Sequence, residues 1–218
     1  LSFASSLLIF ALSIHPPCAR AEEPSPEGPA VNGVAAEGPS PREVVEKLHG
    51  GLLEAMKRAD EYGFQGRYDY IEPIVAETFD LEFMGSKSVG RHWKKLSPED
   101  KQLWLKKFLG YLAANYAGNF TDYGGEQFHT LGDEPAKRDT RVVLTKLQIP
   151  GDEDVIFNYR LRKKAGEWKI IDIYLKGTVS ELALRRSDFS TTLKQKGFAN
   201  LTTAVDRKIA ELRDKGGG

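Results

Sequence analysis

Apolar positions recur every three or four residues from Pro41 to about Glu61. Val45, Leu48, Leu52 and Met56 share one stripe, the period of an amphipathic helix that should stop before Gly63. Ile71, Ile74, Val75 and Phe79 mark a second helix over 68–79, which Pro73 is expected to split. Leu81, Phe83 and Met84 belong to a short third helix ending near Gly90. Ser97-Pro98-Glu99-Asp100 combines an N-cap, a first-turn proline and acids that complement the helix dipole. The long helix it opens should reach about Phe120, with Trp104, Phe108, Tyr111, Leu112 and Tyr116 along one stripe.

Beyond Gly125 the period falls to two. Residues 141–149, 155–162 and 168–175 are rich in β-branched and aromatic side chains, and 127–131 is a weaker strand. The short links around Pro150-Gly151-Asp152 and 163–166 favour an antiparallel meander. Ser180 caps a further helix through Phe189 and Leu193, Gly197 breaks it, and Leu201, Val205, Ile209 and Leu212 mark the last helix. Helices, then a four-stranded antiparallel sheet, then helices make an α+β fold.

The ends read differently. Residues 3–14 have the length and character of a signal-peptide core, and Ala19-Arg20-Ala21 supplies small residues for cleavage after Ala21, so 1–21 is expected to be removed. Cys18, the chain's one cysteine, goes with it, which excludes thiol catalysis and cysteine-ligated metal from the mature protein. Residues 22–40 scatter Pro24, Pro26, Pro29 and Pro39 among glycines and read as a flexible leader. A single domain is expected over 41–213, with 214–218 a flexible tail. Among 218 residues, 31 basic balance 31 acidic ones, so the bulk positive charge of a nucleic-acid binder is missing. The one long apolar run is too short to span a bilayer.

No catalytic or metal motif stands out. His49, His92 and His129 have no ligand spacing and read as surface or hydrogen-bonded structural residues, with no metal site expected. Asp172, inside the apolar run 168–174, is either a structural acid or a general base. As a structural acid it would bind Arg160, Arg162 or a backbone end. Arg160, Arg162, Lys163, Lys164 and the pair Arg185-Arg186 form two basic clusters, read as solvated faces balanced by local acids. Arg67, Asp80 and Arg91 stand at helix boundaries, where ion pairs can fix helix–helix angles.

An ordered set of segments carries a family resemblance. It comprises Gly63-Phe64-Gln65-Gly66-Arg67-Tyr68, Glu72-Pro73-Ile74-Val75, Phe79-Asp80, Val89-Gly90-Arg91-His92-Trp93 and Leu96-Ser97-Pro98-Glu99. Tyr159-Arg160-Leu161-Arg162, Gly166-Glu167-Trp168-Lys169-Ile170-Ile171-Asp172, Val179-Ser180 and Arg186-Ser187-Asp188-Phe189 follow. Over 41–213 the chain resembles the MlaC, or toluene-tolerance, family of periplasmic lipid-binding proteins, with the hopanoid-associated branch HpnM as the candidate branch. Gly177-Thr178-Val179-Ser180 departs from the family's usual Gly-Val-Ser by one residue.

The resemblance implies a periplasmic carrier, not an enzyme, whose helices and sheet enclose an apolar cavity for the acyl or apolar groups of a phospholipid or hopanoid. It implies passage between an inner-membrane lipid transporter complex and an outer-membrane lipoprotein complex, with membranes met through those partners and no cofactor. A free acyl chain of ~15 methylenes costs ~12 kcal/mol in water at ~0.8 kcal/mol per CH₂, so lipid does not cross an aqueous compartment unaided. The expected lining is Phe79, Phe83, Met84, Trp104, Phe108, Leu112 and Tyr116 from the helices, Val142, Leu144, Phe157, Tyr159, Ile171 and Ile173 from the strands, and Phe189. The cavity is expected between the sheet and the 97–120 helix. Two rival readings are an enzyme of ketosteroid-isomerase-like fold with Asp172 as base, and an interaction protein with a filled core.

Overall fold

A computed structural model of the chain describes residues 38–217. The expected signal peptide and the leader up to Glu37 lie outside the described residues. Six helices frame an antiparallel sheet: α1 (Pro41–Lys57), α2 (Ala59–Thr78), α3 (Leu81–Ser88), α4 (Pro98–Asn119), then the strands, then α5 (Glu181–Lys196) and α6 (Phe198–Gly216). A 3₁₀ turn, Gly90–Lys95, joins α3 to α4.

Helix α1 starts on a full capping box: the Ser40 hydroxyl accepts from the Glu43 amide and the Glu43 carboxylate from the Ser40 amide. It stops at Lys57, earlier than its apolar stripe suggests, and α2 begins at once. The break expected at Gly63 appears inside α2 as a kink with φ 55°, a conformation that glycine adopts without penalty. Pro73 does not split the helix.

The sheet runs in the order β1-β2-β3-β4-β5, from β1 (Gln127–Ala136), β2 (Thr140–Gln148), β3 (Val155–Lys164) and β4 (Glu167–Leu175) to β5 (Val179–Ser180). Four strands were expected; the fifth is a two-residue strand just before α5, too short to carry a period. β1 extends five residues beyond the expected 127–131, because it is an edge strand with a register shift between Thr130 and Gly132. Leu131, at the shift, is 59% exposed, and the Gly132-Asp133-Glu134-Pro135 run after it has no apolar alternation, which hides the extension from a search for that period.

Helices α1, α2, α3 and α5 meet the sheet directly. The backbone of α4 runs close to α2, α3 and α6 instead, and does not lie along the sheet. Its far end is held by a glycine contact: a Cβ on Gly118 would come within 2.9 Å of the Leu212 carbonyl, and one on Gly216 within 3.0 Å of the Gly118 Cα. The expected tail is therefore corrected at its start. Residues 214–216 continue α6, and Gly216 is buried against α4 because only a residue without a side chain fits there.

Candidate functional site

Strand register decides which side chains can face the helices. Val143 pairs with Tyr159, Thr145 with Phe157, and on the next strand Tyr159 with Ile173 and Phe157 with Leu175. Directly opposed residues share a face. Tyr159 meets His49 of α1 at 3.0 Å, so this is the helix-facing side. Leu144 pairs with Asn158 and Val142 with Arg160, on the outer side. The grouping of Val142 and Leu144 with Phe157 and Tyr159 is corrected accordingly. β2 carries apolar residues on both faces, and alternation within one strand does not say which face a neighbour shares. On the outer side Val142 and Leu144 line a separate groove of about 410 Å³ with Tyr174 and Arg160.

Helix α4 presents three faces. Gly110, Ala113, Ala114, Ala117 and Gly118 are small and buried, consistent with the close approach of α2 and α6. Trp104, Phe108 and Tyr111 form a filled aromatic cluster with Phe189 of α5: Trp104–Phe189 centroids are 5.2 Å apart and Trp104–Phe108 6.1 Å. The Trp104 Nε1–H donates to the Gly85 carbonyl at 2.9 Å, and Met84 beside it is buried. Trp104, Phe108 and Met84 are thus sealed core, and half-buried Phe189 packs against Trp104. Leu105, Leu109, Leu112 and Tyr116 form the third face, and all four are only half-buried.

That third face runs into a groove of about 620 Å³, in the size range of ligand pockets. Leu105, Leu109, Phe79 and Leu81 line it with the β3–β4 hairpin, and Lys106, Lys164 and Lys169 stand at its rim. The rim is largely self-balanced: Lys164 reaches Asp80 at 3.4 Å and Glu82 at 3.1 Å, and Lys169 reaches Glu167 at 2.8 Å.

Aromatic side chains bridge the gap between α4 and the sheet. Phe79 meets Tyr116 edge-on at 6.4 Å, Tyr116 leans on Phe120 at 5.9 Å, and Phe120 stacks with Phe128 of β1 at 6.4 Å. Phe128 stacks on His49 at 3.9 Å. Phe79 is itself fixed by a bridge to Ile170 of β4. His49 is 3% exposed, burial pulls its pKa down to about 3, and its Nδ1 has no hydrogen-bond partner. Burial pushes the Tyr159 and Tyr116 phenols well above the usual tyrosine range. Tyr116 nevertheless keeps accessible surface.

The remaining expected residues scatter. Phe157 and Ile173 are half-buried on the inner face; Ile171 is the buried extra residue of a bulge in β4. Phe83 lies under the Arg162 guanidinium, 4.4 Å from its ring. Sequence reasoning missed Leu105, Leu109, Leu175, His49 and Phe128. The spacing Leu105–Leu109–Leu112–Tyr116 is a helical stripe that could have been read beside the heavier aromatic one.

The chemistry-bearing residues are occupied structurally. Asp172 accepts from the Ser180 hydroxyl at 2.6 Å and from the Ile173 and Leu182 amides at 2.8 and 3.1 Å, at the start of α5. Its partner is thus a helix start, not Arg160 or Arg162. Arg162 pairs with Asp80 at 2.6 Å, and Arg160 donates to Thr140 and to the Lys137 carbonyl. Asp80 also caps α3 by accepting from the Phe83 amide at 3.1 Å. Arg91 is exposed and has no ion pair among the described residues, so its expected boundary role is not seen. No group of three or more His, Cys, Asp or Glu among the described residues is placed to hold a metal. No helix there is long and apolar enough to cross a membrane.

A sequence model of the MlaC protein family matches residues 46–207. The intermembrane phospholipid transport system binding protein MlaC of Haemophilus influenzae is 26% identical over 152 residues, 66% of this chain and 70% of that protein. The structure of a phospholipid-binding protein from Ralstonia solanacearum, in complex with a phospholipid, superposes with a TM-score of 0.67. It covers 78% of this chain and 96% of its own at 21% identity, a likeness of fold.

Proposed function

Because the chain belongs to the MlaC family, its match spanning residues 46–207, we propose that it is a phospholipid-binding transport protein of an intermembrane system. The observation that carries the reading is the third face of α4. Four apolar or aromatic side chains in succession, Leu105, Leu109, Leu112 and Tyr116, stay half-buried on a helix whose backbone does not lie along the sheet. Acyl chains need bulk apolar contact and little polar direction, and this face, with Phe79 against Tyr116, supplies that contact. The named relatives support the ligand class: one is a phospholipid transport binding protein, the other was solved with a phospholipid bound.

The carrier works in the periplasm, receiving and delivering lipid through an inner-membrane transporter complex and an outer-membrane lipoprotein complex. A hopanoid-type lipid is the alternative cargo. The carrier performs no chemistry on it: the Asp172 carboxylate, the one candidate base, already accepts from three donors. Native mass spectrometry of the freshly purified full chain tests the reading. A mass shift of one lipid, lost on delipidation and regained from phosphatidylethanolamine vesicles, is expected. An unshifted mass both before and after incubation with vesicles would overturn it.

A further inference from the structure

Tyr116 carries a polar atom that its packing does not use. Its ring makes edge and tilted contacts with Phe79 and Phe120 that a phenylalanine would make equally well. The hydroxyl of its neighbour Tyr159 is engaged, meeting His49 at 3.0 Å. The Tyr116 hydroxyl has no hydrogen-bond partner among the described residues, and it is not among the fully buried atoms, so it borders accessible space. A hydroxyl with no protein partner, at the end of the half-buried Leu105–Tyr116 face, is free to donate to an acceptor on a guest lying along that face.

The surroundings select the acceptor. Burial, then Tyr159, then Glu181 keep the phenol protonated, so it donates. Glu181 is paired with Arg185 at 2.9 Å, and both are partly exposed. Tyr116 therefore sits where the aromatic wall of Phe79 and Phe120 gives way to the polar start of α5. The Arg185 guanidinium is already taken up by Glu181, so a phosphate there would lose its hydration without gaining a free cation from this pair, which is costly. A neutral carbonyl attached directly to an acyl chain enters with the chain and meets the donor at far smaller cost.

We propose that the Tyr116 hydroxyl donates a hydrogen bond to a fatty-ester carbonyl of the cargo, so that this protein selects ester-linked diacyl lipids over ether-linked lipids of the same chains and head group. The selection rests on the carrier reading above. A single neutral hydrogen bond corresponds to a preference of about five-fold.

The test loads delipidated full-length protein with an equimolar mixture of dioleoyl phosphatidylethanolamine and its dialkyl ether analogue, and counts each complex by native mass spectrometry. Wild type is expected to hold the diester about five-fold over the diether, and Tyr116→Phe to hold both equally with an unchanged melting temperature. Equal binding by wild type, a preference that survives in Tyr116→Phe, or an equal loss of both lipids in that variant would each overturn the assignment while leaving the carrier reading intact. Uptake of neither lipid by wild type would overturn both.

Discussion

Replacing Arg67 with methionine should destabilise the helical frame without touching the Leu105–Tyr116 face of α4. The Arg67 side chain is 2% exposed and has no carboxylate partner among the described residues. Its guanidinium donates to the Ala117 carbonyl at 3.0 Å, to the Ala59 carbonyl at 3.1 Å and to the Gly216 carbonyl. Ala117 and Gly216 lie in the last turns of α4 and α6, where carbonyls lack helical partners and the dipole favours a cation. Ala59 lies one turn before the Gly63 kink. Methionine keeps much of the length and removes the donors, leaving three buried acceptors at about 1 kcal/mol or more each, partly offset by removing a buried charge. A net loss of about 3 kcal/mol lowers the melting temperature by roughly 6–12 °C in a domain of this size. Arg67→Lys keeps the charge but not the planar fork, and should fall between the two. Thermal unfolding followed by circular dichroism reads all three proteins. A drop below about 2 °C for Arg67→Met would refute the clamp, and a lysine variant as stable as wild type would refute the need for the fork.

Two further outcomes follow from the site and its frame. Burial works to raise the Asp80 pKa, but the Phe83 amide, Arg162 and Lys164 outweigh it and hold the carboxyl below its ordinary 3.8. Its contribution is therefore complete above that value and fades as pH falls through the lower, folded one; Asp80→Asn should cost about 2 kcal/mol at pH 7, measured by urea unfolding, with the gap to wild type narrowing only as pH falls below 3.8. A constant gap down to pH 2 would refute this. Phe157→Trp, on the inner face, should abolish co-purifying lipid, whereas Leu144→Trp, on the outer face, should leave lipid content unchanged. The reverse result in native mass spectra would place the guest on the wrong side of the sheet.

Much of the frame was legible because it is written locally. The α4 start rests on Ser97 and Pro98, the α5 start on Ser180, and the β3–β4 hairpin on alternation. What was not legible depends on partners far along the chain. The side of the sheet taken by Leu144 is settled by its pairing with Asn158, and the helical state of 214–216 by Gly118 and Arg67. Trp104 and Leu112 are both apolar and both on α4, yet one is sealed core and the other half-buried. Core and wall demand the same residue types, so hydropathy cannot separate them.

What separates them is where the backbone of α4 is held. An apolar face left unfilled loses dispersion contacts, and a free helix would settle onto the sheet to recover them. Here α4 is anchored from behind. Its small residues let α6 approach, Gly118 and Gly216 meet at their Cα positions, Lys107 pairs with Asp206 at 2.6 Å, and Arg67 ties the ends of both helices to α2. Each of these contacts lies on the side of α4 away from the Leu105–Tyr116 face. The clamp on one side is therefore the physical condition for keeping the Leu105–Tyr116 face half-buried on the other, and on the carrier reading loosening it should reduce lipid capacity together with stability.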